Sequence, residues 1–279
     1  MTWTTIYLYA LDCLFSDNTI TDSMSIVVKT LVAKSVMHLA GLSALKNLAW
    51  RVVCFGKKIL VIGCSTGINE CRRFAECGAR AVHGVDIADE IGSEFIHPRV
   101  KYFRMSAESL DLKNAQYDIV YCQATLEHVS DIRKALAEAV RVTKPGGYIY
   151  CVASPLWHST QGHHQGHIFG QFPWIHLRLT EKEIVDYCVA NGIRDPDGIA
   201  VGESEVRYML SPKYFNKLPA MAYVEACREL PHVRVLYNQL EMSGEEALTS
   251  EIFTQLSQKG FSRRELLATT HRFLARKRK

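Results

Sequence analysis

The hydrophobic pattern from residue 57 onward predicts strands that alternate with helices. A short apolar run at 58–62 is typical of a buried parallel strand, and a loop of small residues and a helix at about 69–77 follow it. The pattern also predicts strands at 81–85, 100–103, 117–122 and 148–152, a helix at 131–141 and a turn at Pro145-Gly146-Gly147. Such alternation favours an α/β fold with a doubly wound, mostly parallel sheet.

The regions on either side follow other patterns. Apolar positions at helical spacing in 1–55 predict a helical cap packed on the main domain, with binding to a membrane surface as the alternative. A capping-box sequence at 180–183 predicts the start of a helix, and 194–232 are interpreted as an insertion. Two late strands are expected at 233–240 and 267–275. The chain is therefore divided into a cap (1–55), a core (56–155) and an acceptor-site loop, insertion and edge strands of the same domain (156–279).

Composition narrows the class of protein. The 279 residues are 48% hydrophobic and 22% charged with a formal net charge of +4, which is typical of a soluble globular protein and argues against a nucleic-acid partner. The basic run at 276–279 is interpreted as a solvated, frayed end rather than a phosphate-binding site. Nine cysteines without a Cys-x-x-Cys pair indicate a reducing compartment. Because neither an export signal nor a membrane-spanning segment is recognised, a cytoplasmic location is expected.

Candidate chemistry begins at the loop Gly63-Cys64-Ser65-Thr66-Gly67, between the first strand and the first helix. Small residues there let the backbone approach a ligand, and the helix N-terminus offers free N–H groups. Asp86 lies at the end of the second strand, where a carboxylate can accept both hydroxyls of a ribose. The plain alternative for Asp86 is a capping or turn residue. Loop and acid together indicate a nucleotide-type cofactor.

Five segments in order then carry a resemblance to a known family. They are residues 59–67, 83–86, 117–120, 126–129 and 141–147. Together they resemble the class I S-adenosylmethionine-dependent methyltransferases, especially the branch that contains ubiquinone- and menaquinone-type and small-molecule enzymes. The resemblance implies a seven-stranded Rossmann-like sheet with an antiparallel C-terminal hairpin, and S-adenosylmethionine as the cofactor.

The resemblance also implies which residues contact the cofactor. They are Gly63, Cys64, Ser65 and Gly67 in the loop, Asp86 at the ribose with its neighbour Ile87, Ser106, Ala107 and Glu108 at the adenine, and Cys122 and Gln123 beside the methyl donor. Three positions depart from the family pattern. Val61 replaces an acid that helps to hold the cofactor ammonium group, Ser65 replaces a glycine, and Ser106 replaces an aspartate.

Histidines are concentrated just after the fifth strand, at 158, 163, 164, 167 and 176. In a doubly wound sheet the ligand lies at the carboxyl ends of the strands, so this segment is expected over the acceptor. The candidates for a general base are His128, His163, His164 and His167. A divalent metal held by His163 with His167 or His164, and ordinary loop hydrogen bonds, are the alternatives. No metal site is assigned, because no partner carboxylate lies close in sequence.

Other residues of the same segment have structural explanations. His176 is expected to anchor the loop in the core. Four aromatic residues either wall an apolar acceptor pocket or pack the loop: Trp157, Phe169, Phe172 and Trp174.

The favoured function is methyl transfer from S-adenosylmethionine to a hydroxyl oxygen of a small molecule, such as a sugar, a lipid-linked compound or a secondary metabolite. The stretch Cys122-Gln123-Ala124-Thr125 lacks the Asn/Asp-Pro-Pro-aromatic motif of enzymes that methylate bases. The alternatives are a catalytically weak or inactive scaffold that binds a partner, and methylation of RNA or protein. A homodimer through the N-terminal helices is also expected.

Overall fold

The computed structural model describes residues 51–279. The helical cap, the membrane-surface alternative and the dimer contacts predicted for the N-terminal region fall almost entirely on residues 1–50, which lie outside the described residues. Residues 51–54 are helical and lead into the first strand of the sheet.

A seven-stranded sheet forms the centre of the described chain. Its strands are β1 (Lys58–Ile62), β2 (Ala81–Asp86), β3 (Val100–Arg104), β4 (Tyr117–Gln123), β5 (Thr143–Ala153), β6 (Val233–Met242) and β7 (Ala268–Lys277). The spatial order is β3-β2-β1-β4-β5-β7-β6, with β1 to β5 parallel and β7 antiparallel to both neighbours. The predicted α/β sheet with its antiparallel C-terminal hairpin is confirmed.

Helices pack on both faces of this sheet, and further helices form two smaller cores beside it. The helices of the described residues are α1 (Glu70–Glu76), α2 (Ile132–Val142), α3 (Gly166–Phe169), α4 (Ile175–Arg178), α5 (Glu181–Ala190), α6 (Glu203–Leu210), α7 (Ala220–Arg228), α8 (Ser250–Gln258) and α9 (Arg263–Leu267). One core lies between the sheet and α2 with α7, and another lies between the sheet and α1. Burial of apolar side chains on both faces is what a parallel sheet requires.

The segment after β5 contains the helix expected from its capping box. Thr180 Oγ1 accepts from the Glu183 backbone N–H, and the Glu183 carboxylate accepts from the Thr180 backbone N–H, so α5 begins where the sequence predicts. The region interpreted as an insertion contains α6 and α7, and α7 packs on α2 and β6. That helix is therefore part of the sheet's cover. Among the described residues, no helix combines the length and apolar character needed to cross a bilayer.

Two predictions near the sheet are wrong. The residues Pro145-Gly146-Gly147 lie within β5, which begins at Thr143. Thr143 pairs with Tyr117 and Tyr148 pairs with Ile119, so the intervening residues form an irregularity that accommodates the proline and the glycines.

The C-terminal basic run is not frayed, because β7 extends to Lys277. The Lys277 ammonium group donates to the carbonyls of Val140 (2.7 Å), Thr143 (2.8 Å) and Arg141 (3.3 Å) at the end of α2. A cation at this position satisfies carbonyls that the helix leaves without partners. The Arg276 guanidinium group is also held, through a 3.0 Å hydrogen bond to the Gly146 carbonyl.

Candidate cofactor and acceptor site

The loop between β1 and α1 needs its glycines. Gly63 and Gly67 have φ angles of +75° and +83°, a region that disfavours side chains. A Cβ atom at Gly63 would lie 1.9 Å from Thr125 Oγ1, and one at Gly67 would lie 2.1 Å from the Tyr102 hydroxyl. Ser65 adopts a φ of +46° although it carries a side chain. Left-handed backbone at a non-glycine residue costs about 1 kcal/mol and is frequent at functional sites.

Asp86 at the end of β2 is joined to this loop. One carboxylate oxygen accepts from the Ser65 backbone N–H (2.8 Å), and the other accepts from the Ala88 N–H (3.0 Å). Each oxygen keeps capacity for a further hydrogen bond, as a ribose diol would require. Ile87, the next residue, is 69% exposed, so an apolar surface lies beside the carboxylate.

In the segment 106–108, which is expected to contact the adenine, Glu108 makes hydrogen bonds within the protein. The Glu108 carboxylate accepts from the backbone N–H groups of Ser130 (2.6 Å) and Asp131 (3.0 Å), so one of its oxygens holds the loop before α2. Ser106 is exposed, and its hydroxyl accepts from the Glu108 N–H at 3.2 Å. Ala107 is buried in the core. Ser106 is therefore the polar side chain of this segment that remains open to a ligand.

Several other predicted cofactor residues direct their side chains into the core. Val61 in β1 is 1% exposed and packs in the core between the sheet and α1, so an acid there would not be solvated. Cys64 and Cys122 are also buried, which leaves their backbone groups to face a ligand. Gln123 is exposed at the end of β4, and its side-chain carbonyl accepts from the Tyr121 hydroxyl. At the methyl-donor site predicted for the end of β4, Gln123 thus offers an exposed side chain, whereas Cys122 could contribute its backbone groups.

Two of the four candidate histidines come together. His128 lies in the loop after β4 and His164 in the loop after β5, and their ring centroids are 4.9 Å apart. His128 Nδ1 lies 2.6 Å from the Tyr214 carbonyl oxygen, and His164 Nε2 lies 3.0 Å from the Pro155 carbonyl oxygen. A carbonyl only accepts, so these nitrogens carry the proton in the neutral rings. The lone pairs are then on His128 Nε2 and His164 Nδ1.

The other two candidate bases, His163 and His167, lie outside this pair. His163 is 1% exposed, and its Nδ1 accepts from the Gln165 N–H at 3.0 Å. Its ring contacts that of His176 with centroids 4.9 Å apart, and burial lowers the pKa of His163 to about 4. His167 is exposed on the short helix α3. The alternative of a metal held by His163 and His167 thus lacks support, because His163 Nδ1 is engaged and its ring is enclosed.

Glu127 is the functional candidate that sequence reasoning missed. Its side chain is 3% exposed; one carboxyl oxygen accepts from the Ser154 N–H at 3.0 Å, and the other has no hydrogen-bond partner in the described part of the chain. Burial raises the pKa of Glu127 to about 8. Burial also lowers the pKa of His164 to about 4, so its ring is neutral at pH 7. The motif Leu126-Glu127-His128 contained the signal, but sequence does not show burial.

The loop that carries Glu127 and His128 is fixed by Asn216, which precedes α7. The Asn216 side-chain amide donates to the carbonyls of Leu126 (2.7 Å) and Val129 (3.1 Å), and its backbone N–H donates to the Glu127 carbonyl (3.0 Å). The neighbouring Phe215 ring packs on both histidines, with centroids 5.2 Å from His128 and 4.8 Å from His164. Segment 211–219 therefore positions the pair.

The aromatic residues of the segment after β5 mainly pack the protein. Trp174, Phe169 and Trp157 are buried in the two smaller cores outside the sheet, which supports the packing alternative. His176 anchors the loop as expected, since its Nε2 donates to the Trp157 carbonyl at 2.7 Å.

The loop, carboxylate and apolar edge fit S-adenosylmethionine. Gly63 and Gly67 leave the backbone uncovered by a Cβ atom, Asp86 can accept ribose hydroxyls, and Ile87 offers an apolar contact for a purine. At the position of Val61 this chain supplies no carboxylate for the ammonium group.

Comparison with known proteins agrees with this geometry. Residues 60–151 match a family model described as a methyltransferase domain. These residues make up about a third of the chain, and they are similar to methyltransferase domains.

The chain spans about half, or less, of the length of the curated relatives that it matches. The ubiquinone biosynthesis O-methyltransferase of Methylococcus capsulatus is 33% identical over 130 residues, which are 44% of this chain and 52% of the relative. The enzyme of the same name from Saccharophagus degradans is 37% identical over 101 residues, covering 34% and 42%. A solved S-adenosylmethionine dependent methyltransferase from Mesorhizobium loti is 15% identical with a TM-score of 0.43, covering 82% of this chain and 96% of that chain.

Proposed function

We propose that this protein transfers a methyl group from S-adenosylmethionine to a hydroxyl oxygen of a small molecule, with His128 as the general base. The observation that carries the proposal is the fixed tautomer of His128. Its Nδ1 donates to the Tyr214 carbonyl, so the Nε2 lone pair is available to accept a proton. The histidine lies in the loop after β4, at the edge of the sheet where parallel strands end.

The cofactor would be held by the loop between β1 and α1 and by the end of β2. Gly63 and Gly67 would admit its methionine part, Asp86 would accept its ribose hydroxyls, and Ile87 and Ser106 would contact its adenine. When bound, S-adenosylmethionine supplies an electrophilic methyl group. Thr125, which follows β4, connects the cofactor loop to the histidines. Its hydroxyl group donates to the Ile62 carbonyl at the end of β1 (3.3 Å) and to the Gln123 carbonyl (2.9 Å).

Removal of the acceptor proton favours His128 over the other histidines. His164 and His163 have a pKa of about 4 because they are buried, so they are weak bases at neutral pH. His167 is exposed outside the pair. His128 is exposed beside His164 and can therefore meet a ligand. The residue accepts the proton that leaves the attacking hydroxyl group.

A polar cavity at the end of β5 is consistent with a small hydroxylated acceptor, and its lining residues do not include His128. Its volume is about 540 Å³, within the range of small-molecule sites. The lining includes Ser154 and Pro155, whose backbone groups hold Glu127 and His164. Further lining side chains are hydroxyl, amide or carboxylate groups: Ser159, Thr160, Gln161, Glu246 and Thr270. Oxygen as the attacking atom is also supported by the O-methyltransferase names of the curated relatives.

The first test combines calorimetry with mass spectrometry. We expect saturable binding of S-adenosylmethionine, and we expect a panel of sugars and hydroxylated aromatic compounds to contain one that gains a methyl group. The His128→Gln variant should lower kcat by about 100-fold or more with unchanged cofactor affinity, because a general base contributes roughly that factor. The His167→Gln variant is the matched control and should keep wild-type turnover.

Two outcomes contradict the proposal. No saturable binding at millimolar S-adenosylmethionine would favour a scaffold without activity. Wild-type kcat in His128→Gln would remove the base from the mechanism.

A further inference from the structure

Glu127, His128 and His164 form a compact group of potential ligands, here called the acceptor-side triad. Each residue offers one nitrogen or oxygen atom, and these three atoms all lie within 4.8 Å of one another. Glu127 and His128 come from the loop after β4, whereas His164 comes from the loop after β5. Because β4 and β5 are parallel neighbours, the two loops emerge at the same edge of the sheet.

In each triad residue a backbone group holds one polar atom of the side chain, which leaves the other atom available as a ligand. His128 Nδ1 donates to the Tyr214 carbonyl at 2.6 Å, and His164 Nε2 donates to the Pro155 carbonyl at 3.0 Å. One oxygen of Glu127 accepts from the Ser154 N–H at 3.0 Å. Metal-binding histidines characteristically donate their second ring nitrogen to a carbonyl or carboxylate, which sets the tautomer and aims the lone pair.

The remaining oxygen of Glu127 is an independent sign of a missing partner. The side chain is 3% exposed, and Oε2 has no hydrogen-bond partner among residues 51–279. Buried polar groups are nearly always satisfied, so an unsatisfied carboxyl oxygen requires an explanation such as an ion. A buried carboxyl group next to two imidazole lone pairs also lacks a nearby lysine or arginine partner in the described ion pairs.

We propose that the acceptor-side triad binds one divalent transition-metal cation, such as Zn²⁺. Two imidazoles and one carboxylate suit such ions and leave coordination positions open for another ligand. Ligand atoms around a tetrahedral Zn²⁺ lie about 3.4 Å apart at bond lengths of about 2.1 Å. The present separations are 4.8 Å or less, so binding requires the atoms to approach by about 1.4 Å at most.

The backbone and the neighbours of His164 hold its ring in the orientation that faces His128. Its backbone has a φ of +61°, a left-handed conformation that is unfavourable for a residue with a side chain. Phe215 supports the ring, with centroids 4.8 Å apart. Strained backbone of this kind persists where the surroundings over-determine it, and it is concentrated at ligand sites.

The cation would give the proposed methyl transfer an alternative way to activate its acceptor, because a bound cation occupies the His128 Nε2 lone pair that would otherwise accept the proton. A divalent ion lowers the pKa of a hydroxyl group that it binds, so the proton leaves more easily. This role rests on the proposed function. Cation binding itself requires neither the cofactor nor the acceptor, so the two proposals can fail separately.

The test uses the full chain, stripped of metal with a chelator and titrated with Co²⁺. We expect one Co²⁺ per chain with visible absorption bands of nitrogen and oxygen ligation, and displacement of Co²⁺ by Zn²⁺. The Glu127→Gln and His164→Gln variants should each bind Co²⁺ at least about 100-fold more weakly, because each removes one of three ligands. His167→Gln, a histidine of the same segment outside the triad, should bind like the wild type.

Three results would overturn the cation site. They are no stoichiometric uptake of Co²⁺, wild-type affinity in both triad variants, or a spectrum dominated by thiolate ligation, which would assign the ion to cysteine. Thermal unfolding of the metal-free variants checks that each is folded. If His128→Gln slows methyl transfer in a chain that binds no Co²⁺, the proposed function stands and the cation site fails. If the chain binds Co²⁺ but transfers no methyl group, the cation site stands and the proposed function fails.

Discussion

Asp86 combines two tasks at the scale of a single residue. Its carboxylate accepts from the N–H groups of Ser65 and Ala88, so it shapes the strained loop as well as facing the expected ribose. Both hydrogen bonds are near the surface, where water can partly replace a lost partner. Loss of this carboxylate should therefore affect ligand binding more than stability.

We expect Asp86→Ala to weaken S-adenosylmethionine binding at least about tenfold, because two ribose hydroxyls lose a charged acceptor. The free energy of unfolding should fall by only about 1 kcal/mol. Calorimetry and urea denaturation measure the two quantities. Asp89→Ala is the matched control, since Asp89 is an exposed acid three residues away that pairs with Arg104 at 2.5 Å. Equal cofactor affinity in both variants would contradict the role of Asp86.

Ser65, Ala124 and His164 share a left-handed backbone, with φ angles of +46°, +49° and +61°. They lie after β1, β4 and β5, the three neighbouring strands at the centre of the sheet. The residue types do not predict these angles, since residues with a side chain adopt them only in a few per cent of cases.

At the scale of the element, helix α2 is satisfied at both ends by side chains. The Asp131 carboxylate accepts from the N–H groups of Arg133 (3.0 Å) and Lys134 (3.1 Å) at its start. Lys277, from the last strand, donates to carbonyls at its end. These hydrogen bonds connect the end of β7 to the end of α2 and the start of β5.

Lys277→Met should lower the free energy of unfolding by about 1–2 kcal/mol, because the variant keeps the apolar stem but leaves helix-terminal carbonyls without a donor. Urea denaturation is the measurement. Lys279→Met removes an exposed lysine two residues later and should change stability by less than about 0.5 kcal/mol. Equal stability of the two variants would indicate that the C-terminal run is solvated after all.

At the scale of the whole molecule, the sheet buries a titratable group in its antiparallel C-terminal hairpin. His271 on β7 is 0% exposed; its Nε2 donates to the Asn238 side-chain oxygen at 2.7 Å, and burial lowers the pKa of His271 to about 4. Between about pH 6.5 and pH 4 the unfolded chain binds a proton at this residue that the folded chain does not bind. Stability from this residue is therefore present above pH 6.5 and is lost as pH falls through that window.

We expect His271→Gln to lose about 2 kcal/mol less free energy of unfolding than the wild type when the pH is lowered from 7 to 5. The comparison uses the slope with pH, because the substitution also changes packing. His232→Gln, which alters an exposed histidine, should follow the wild-type slope. A wild-type slope in His271→Gln would show that folding does not lower the pKa of this ring.

The order of strands and helices, the glycine loop and Asp86 could all be predicted from the sequence. These features depend on local periodicity and on residue types that suit a turn, so their signals lie within short segments. The resemblance added the C-terminal hairpin. The start of β5 was predicted wrongly because it depends on tertiary contacts. Pairing with β4 begins at Thr143, so Pro145-Gly146-Gly147 lie within the strand and not in a turn.

Only the tertiary structure decided which side chains meet. Glu127 and His164 are separated by 37 residues in sequence, and they approach because two parallel strands end side by side. The same packing separates His163 from its neighbour His164, since one ring enters the core and the other faces His128. The sequence by itself determined the fold and the cofactor loop through short-range patterns. The acceptor side depended on burial and on contacts between distant segments, which no local pattern encodes.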